Sequence, residues 1–129
     1  MTKAAPPDGP RILLLEDEWL IAEATARSLQ RLGYQVLGPA HSVSHALDIL
    51  AAETPDAALI DTLLNRESSL AIADRLVELG VPFAFYSGFE ASDLPERFRD
   101  RPFLRKPIGE ATLRVALAGL LAATPHVPA

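Results

Sequence analysis

Cysteine is absent from this 129-residue chain, so disulfides and thiol chemistry are excluded. No apolar run approaches the ~20 residues that a membrane-spanning helix needs. The opening residues, Met1-Thr2-Lys3-Ala4-Ala5, lack the apolar core of a signal peptide. Basic residues are outnumbered, 12 Lys and Arg against 17 Asp and Glu, for a formal net charge of -5. With no basic stripe to neutralise phosphates, the balance argues against nonspecific DNA binding. Internal repeats and a linker to a second domain are absent as well. The expectation is one small cytoplasmic domain with no nucleic-acid or membrane partner.

Apolar residues make up 49% of the chain, enough to bury a real core. They fall into short runs that alternate with helical patterns. Residues 1–10, with Pro6, Pro7, Gly9 and Pro10, read as a flexible leader. A first strand is expected over 11–16 and a helix over 19–32, where Ile21, Ala24, Leu29 and Leu32 share one face. Gly33 stops that helix. A short second strand over 34–37 is closed by Gly38-Pro39. Ser42 caps a second helix that buries Val43, Ala46, Leu47 and Leu50. Pro55 ends it, and a third strand runs to Asp61. A helix over 69–79 stops at Gly80. A fourth strand follows over 82–86 and a fifth over 102–104. The last helix starts near Gly109 and buries Leu113, Ala116, Leu117 and Leu120. Residues 90–101, with Pro95 in the middle and many Asp and Arg, predict only a weak or mobile fourth helix. Residues 123–129 read as a loose tail. Strands alternating with helices predict an α/β fold, a five-stranded parallel sheet covered on both faces. The unbroken apolar character of the strands fits burial on both sides.

Polar residues sit at the ends of these runs. Glu16 and Asp17 follow the first, Asp61 ends the third, Ser87 the fourth, and Lys106-Pro107 follows the fifth. Side chains so placed converge on one edge of a parallel sheet, where open α/β folds bind ligands. Three carboxylates, a hydroxyl and an ammonium there suggest a divalent cation and a phosphoryl group.

Four pieces, Leu15-Glu16-Asp17-Glu18, Leu59-Ile60-Asp61, Tyr86-Ser87-Gly88 and Arg105-Lys106-Pro107, give the chain its resemblance to response-regulator receiver domains. Their spacing is typical of that family, and the resemblance covers residues 11–122. It implies a doubly wound, flavodoxin-like sheet of order 2-1-3-4-5. That order is the one by which the general rule for ligand sites in such folds is commonly illustrated, with a receiver as the example. The segment Val81-Pro82-Phe83-Ala84-Phe85-Tyr86-Ser87-Gly88-Phe89 is similar to the Phe-Ala-Thr-Gly-Tyr signature of a subgroup of alphaproteobacterial receivers that includes single-domain regulators and the receiver of the general-stress-response anti-anti-sigma regulator. Tyr86, Ser87 and Phe89 replace the usual Ala, Thr and Tyr. Asn65 stands where ordinary receivers carry proline, and Ser69 where most carry glycine.

By resemblance, Asp61 is the phosphoacceptor. Glu16, Asp17, Asp61 and the Leu63 backbone carbonyl hold Mg²⁺ or Mn²⁺, ions that suit hard oxygen ligands. Lys106 and Ser87 bind the phosphoryl group, Ser87 and Phe103 form the switch, and the bond between Lys106 and Pro107 is cis. Leu63 and Phe89, both apolar, stand where the family controls water access, which implies slow loss of phosphate. The implied donor is a histidine kinase or a phosphotransfer protein. Output through protein contacts or as a phosphate sink follows from the lack of a recognisable output domain. The chain is then a phosphoacceptor that assists its own phosphorylation and dephosphorylation, and not an enzyme. The weak fourth helix favours a monomer and leaves a dimer open.

Plainer readings stand beside these. Asp61 could cap the following helix, Glu16 and Asp17 could be solvated loop acids, Ser87 a turn residue, Lys106 a surface lysine and Phe103 a core residue. Glu18 reads as a first-turn helix acid, and His41 and His45 as surface residues away from the acidic edge. A pseudo-receiver that binds partners without phosphorylation is the second functional reading. A phosphatase with an aspartyl nucleophile is the third. It is disfavoured because Leu63 replaces the second acid such enzymes need and no cap domain is apparent.

Overall fold

The computed structural model describes residues 9–64, 66–87 and 94–122. Five parallel strands form the central sheet: β1 (Arg11–Leu15), β2 (Gln35–Ala40), β3 (Ala57–Asp61), β6 (Phe83–Ser87) and β7 (Phe103–Arg105). Their order is β2-β1-β3-β6-β7, the doubly wound order expected. Two further strands, β4 (Leu63–Leu64) and β5 (Glu67–Ser68), form a small antiparallel hairpin directly after β3. The helices are α1 (Trp19–Arg31), α2 (Val43–Ala52), α3 (Leu70–Leu79) and α4 (Glu110–Ala122).

Strand periodicity divides the core in two, because successive side chains point to opposite faces. Leu13, Leu15, Ala58, Ile60, Phe83 and Phe85 pack on one face beneath α2 and α3. Ile12, Leu14, Ala57, Leu59, Ala84 and Tyr86 pack on the other beneath α4, with Leu29 of α1. Every residue of β3 and β6 is buried, so the middle of the sheet never meets water. Apart from the Tyr86 hydroxyl, the polar side chains of these two strands lie at their carboxyl ends, Asp61 and Ser87.

Local chemistry sets the ends of the helices. Ser42 caps α2, its hydroxyl accepting a hydrogen bond from the His45 backbone N–H at 3.1 Å. Gly80 ends α3 in the left-handed region at φ +72°. The buried face of α1 is shifted from the expected one. Ala22 and Leu29 are buried, with Ile21, Ala26 and Leu32 packed alongside, while Ala24 is exposed. Leu47 of α2 is also exposed.

The second strand runs past Gly38-Pro39, where the sequence suggested a stop. Pro39 has no N–H to give, but β2 is an edge strand, where that loss is tolerated. A register shift opposite Leu13 to Leu15 absorbs the extra residue. Gly38 makes this shape accessible at φ +101°, and a Cβ there would stand 2.6 Å from the Ala40 nitrogen.

Among the described residues, the 90–101 region holds only a 3₁₀ turn at Glu96–Phe98, and residues 90–93 lie outside the description. The turn is anchored by Phe98, which is buried and meets Phe83 and Phe85 edge-on at 6.1 and 5.7 Å between ring centres. Arg97 lies over the Phe98 ring and pairs with Asp74 of α3. The leader to residue 8 and the tail from 123 also lie outside the described residues. Among those described, no helix is long and apolar enough to cross a membrane.

Truncating the anchor should expose its importance. Phe98→Ala is expected to cost about 3–5 kcal/mol, seen as a lowered urea midpoint at unchanged slope. A midpoint within error of wild type would show that the 94–101 segment does not depend on the aromatic cluster.

Candidate functional site

The carboxyl ends of β1, β3, β6 and β7 bring Glu16, Asp17, Asp61, Ser87 and Lys106 to one edge of the sheet. Parallel registry does the alignment. Leu15 lies beside Ile60, Asp61 beside Tyr86, and Ser87 beside Arg105. The residues that follow or end each strand therefore emerge at one level. Carboxylate oxygens of Glu16, Asp17 and Asp61 lie within 4.8 Å of one another. Glu16 is fully buried, Asp61 is 6% exposed and Asp17 is half-buried.

Lys106 answers two of these acids. Its Nζ lies 2.7 Å from Asp61 Oδ2 and 2.5 Å from Glu16 Oε1. The peptide bond that follows it, to Pro107, is cis. The second Glu16 oxygen accepts a hydrogen bond from the Glu18 backbone N–H at 2.9 Å. Glu18 itself sits at the cap of α1 with no side-chain capping bond. Asp61 Oδ1 accepts from the Leu63 N–H at 3.3 Å. Leu63 is 40% exposed and pairs with Ser68 in the hairpin.

Burial pushes the Asp61 carboxyl above the usual carboxylate range, and the Glu16 charge adds to that; Lys106 opposes both. For Lys106, burial acts to lower the pKa, but the bonds and charges of Asp61 and Glu16 outweigh it and hold the ammonium above its ordinary value. Three clustered carboxylates facing one ammonium leave a surplus of negative charge. The donor set is hard oxygen, and the spacing allows the oxygens to share one ion. The residues present thus fit a divalent cation such as Mg²⁺.

Ser87 is buried at the end of β6, and Thr62 Oγ1 donates a hydrogen bond to its hydroxyl at 3.1 Å. Phe103 is half-buried and packs against the α2–α3 side of the core. Phe89, expected to influence water access, lies outside the described residues, as do Gly88 and Asn65.

Four contacts were not legible as site features. Thr62 gave no signal beyond adjacency to Asp61. Ser69, conspicuous only as a replacement for glycine, is buried and donates its hydroxyl to the Asp61 backbone carbonyl at 2.6 Å. The Tyr86 hydroxyl is buried beside Glu16 and Thr25 without a well-formed hydrogen bond. Burial first, and then the Glu16 charge, push that phenol upward. His41, read as a surface residue away from the acidic edge, is half-buried instead, with Nδ1 2.8 Å from the Glu16 backbone carbonyl. The extension of β2 to Ala40 carries it there, since Ala40 accepts the Glu16 N–H at 2.9 Å. His45 is exposed, as expected.

Replacing the ammonium should be costly and dependent on pH. Lys106→Met leaves two buried carboxylates without their cation, for an expected loss of about 3 kcal/mol in the metal-free protein at neutral pH. Without Lys106 the Asp61 carboxyl, already above the usual carboxylate range, rises further, so the folded state binds more protons than the unfolded one. The deficit should shrink as pH falls and Asp61 takes up its proton in the folded state. Chemical denaturation from pH 8 to 5 checks this; a deficit that stays constant would contradict it.

No protein-family model matches the chain. It is similar to the PhyR response-regulator REC domain of Erythrobacter litoralis, at 27% identity and a TM-score of 0.81, covering 94% of this chain and 96% of that one. It is similar to SdrG of Sphingomonas melonis Fr1 at 34% identity and a TM-score of 0.77, covering 94% and 99% of the two chains. The transcriptional regulatory protein PdtaR of Mycobacterium tuberculosis is 29% identical over 111 residues, 83% of this chain and 54% of PdtaR. The chain spans about half the length of that relative. Sheet order, the clustered acids with their lysine, and these similarities agree: the chain belongs to the response-regulator receiver domain family.

Proposed function

We propose that the chain is a single-domain response regulator that accepts a phosphoryl group on Asp61 from a histidine kinase or a phosphotransfer protein. The observation that carries this reading is the Asp61 carboxylate at the end of β3, 2.7 Å from Lys106 Nζ and clustered with the Glu16 and Asp17 carboxylates. Similarity to the PhyR receiver and to SdrG supports placing it with the receivers of the Phe-Ala-Thr-Gly-Tyr type.

An Asp61 oxygen attacks phosphorus, forming an acyl phosphate as the donor's bond to phosphorus breaks. Phosphoryl transfer depends on position and charge neutralisation more than on proton chemistry. Mg²⁺ held by Glu16, Asp17, Asp61 and the Leu63 carbonyl would supply positive charge for the phosphoryl oxygens. Lys106 supplies a second positive charge beside Asp61, and Ser87 supplies a hydroxyl donor. The backbone of Asp61 is held by the sheet and by Ser69, so the nucleophile needs little reorganisation. The domain is a phosphoacceptor and not a turnover enzyme. Its output is a change in protein contacts, through a shift between two packings around Ser87 and Phe103, or removal of phosphate from a kinase.

Trp19, the only tryptophan, is exposed and lies two residues after Asp17. Its fluorescence should respond to Mg²⁺, and then saturably to beryllofluoride, in wild type; the beryllofluoride response should vanish in Asp61→Ala. A small-molecule phosphodonor should add one phosphoryl group by intact mass, again only with Asp61 present. With Leu63 and Phe89 unable to orient water, the acyl phosphate should outlast the seconds timescale. Absence of both beryllofluoride binding and phosphorylation would put a pseudo-receiver in place of this reading.

A further inference from the structure

Ser87 has a neighbour that the phosphoacceptor chemistry alone does not require. Thr62, the residue after Asp61, places its hydroxyl 3.1 Å from Ser87 Oγ, and Ser87 is completely buried. Both backbones are fixed. The Thr62 carbonyl accepts the Ser69 N–H at 3.1 Å, and Ser69 also bonds the Asp61 carbonyl. The hairpin of β4 and β5 folds the chain back to make these contacts. On the other side, Ser87 is paired beside Arg105, and its carbonyl accepts the Lys106 N–H at 3.0 Å. Two hydroxyls thus meet across the β3–β6 boundary, each on a backbone tied to a residue of the acidic cluster.

A serine hydroxyl carries one proton and two lone pairs. When Thr62 donates, Ser87 takes that bond on a lone pair, so the bond does not use the Ser87 proton. The same bond keeps the Ser87 side chain turned toward β3, the strand that ends in Asp61. Hydroxyls linked in this way also polarise one another, making the second a better donor.

We propose that Thr62 is a positioning residue, which holds the Ser87 hydroxyl on the Asp61 side, oriented to donate to a phosphoryl oxygen bound there. This rests on the reading of Asp61 as phosphoacceptor. Thr62 touches no phosphoryl group itself and acts through Ser87.

The test is a double-mutant cycle read by beryllofluoride binding at saturating Mg²⁺, with Trp19 fluorescence as the signal. Thr62→Val keeps the shape and removes the hydroxyl. It should weaken beryllofluoride about fivefold, the scale of one neutral hydrogen bond. In a Ser87→Ala background the same substitution should have no effect. Thr62→Ser should restore wild-type binding, and Mg²⁺ affinity should be unchanged throughout. Beryllofluoride binding by Thr62→Val equal to or tighter than wild type would overturn the inference. So would an equal loss in the Ser87→Ala background, which would mark a general disturbance of the loop. If wild type itself fails to bind, the phosphoacceptor reading falls and takes the inference with it. That result is distinct from a wild type that binds normally beside an indifferent Thr62→Val.

Discussion

The contact of the Lys106 ammonium with Asp61 and Glu16 is the constraint on which the acidic edge depends. It ties the end of β3 to the residue after β1 and to the residue after β7, so three strands converge through one cation. Buried carboxylates are tolerated only when paired and hydrogen-bonded. Here the backbone N–H groups of Glu18 and Leu63 contribute as well. The arrangement is not electrically complete. Asp61 still titrates above the usual range because burial outweighs its partners, and the remaining negative charge is what makes the cluster suited to a further cation.

The sheet makes such a cluster affordable. Its central strands are buried along their whole length between two apolar layers, one under α2 and α3 and one under α4. That burial holds the body of each strand in register, so the polar residues act only at the ends. The polar residues can then be chosen for chemistry. Among the described residues, the non-glycine with a left-handed backbone is Arg66, φ 67°, between β4 and β5, while Gly38 takes its positive φ at the bulge of β2.

Much of the fold was legible in the sequence, because buried parallel strands read as unbroken apolar runs and the acids, hydroxyl and lysine mark where each run ends. Asp61 and Ser87 end, and Glu16, Asp17 and Lys106 follow, strands whose parallel registry brings those ends to one level. What escaped depends on backbone geometry that composition does not encode. The Gly38-Pro39 pair looks like a terminator, yet at a sheet edge it permits a bulged continuation that brings His41 to Glu16. The hairpin after Asp61 has no glycine at its turn, and its strands are only two residues long, too short for alternation to show. On α1 the expected face fails only at Ala24: Ile21, Leu29 and Leu32 do meet the core, and Ala22 and Ala26 join them in its place. Ser69 and Thr62 were hidden because a short polar residue in a loop carries no sign of what its hydroxyl will meet.

The two edges of the sheet offer little to another strand. At one, β2 carries the Gly38-Pro39 bulge, so the ladder of free N–H groups is broken near its end. At the other, β7 has only three residues. Short or interrupted edges are poor templates for β-augmentation. Recognition of this domain by other proteins is therefore steered toward helix faces and loops, where a change of side-chain packing can be sensed, and away from backbone pairing, which would be blind to it.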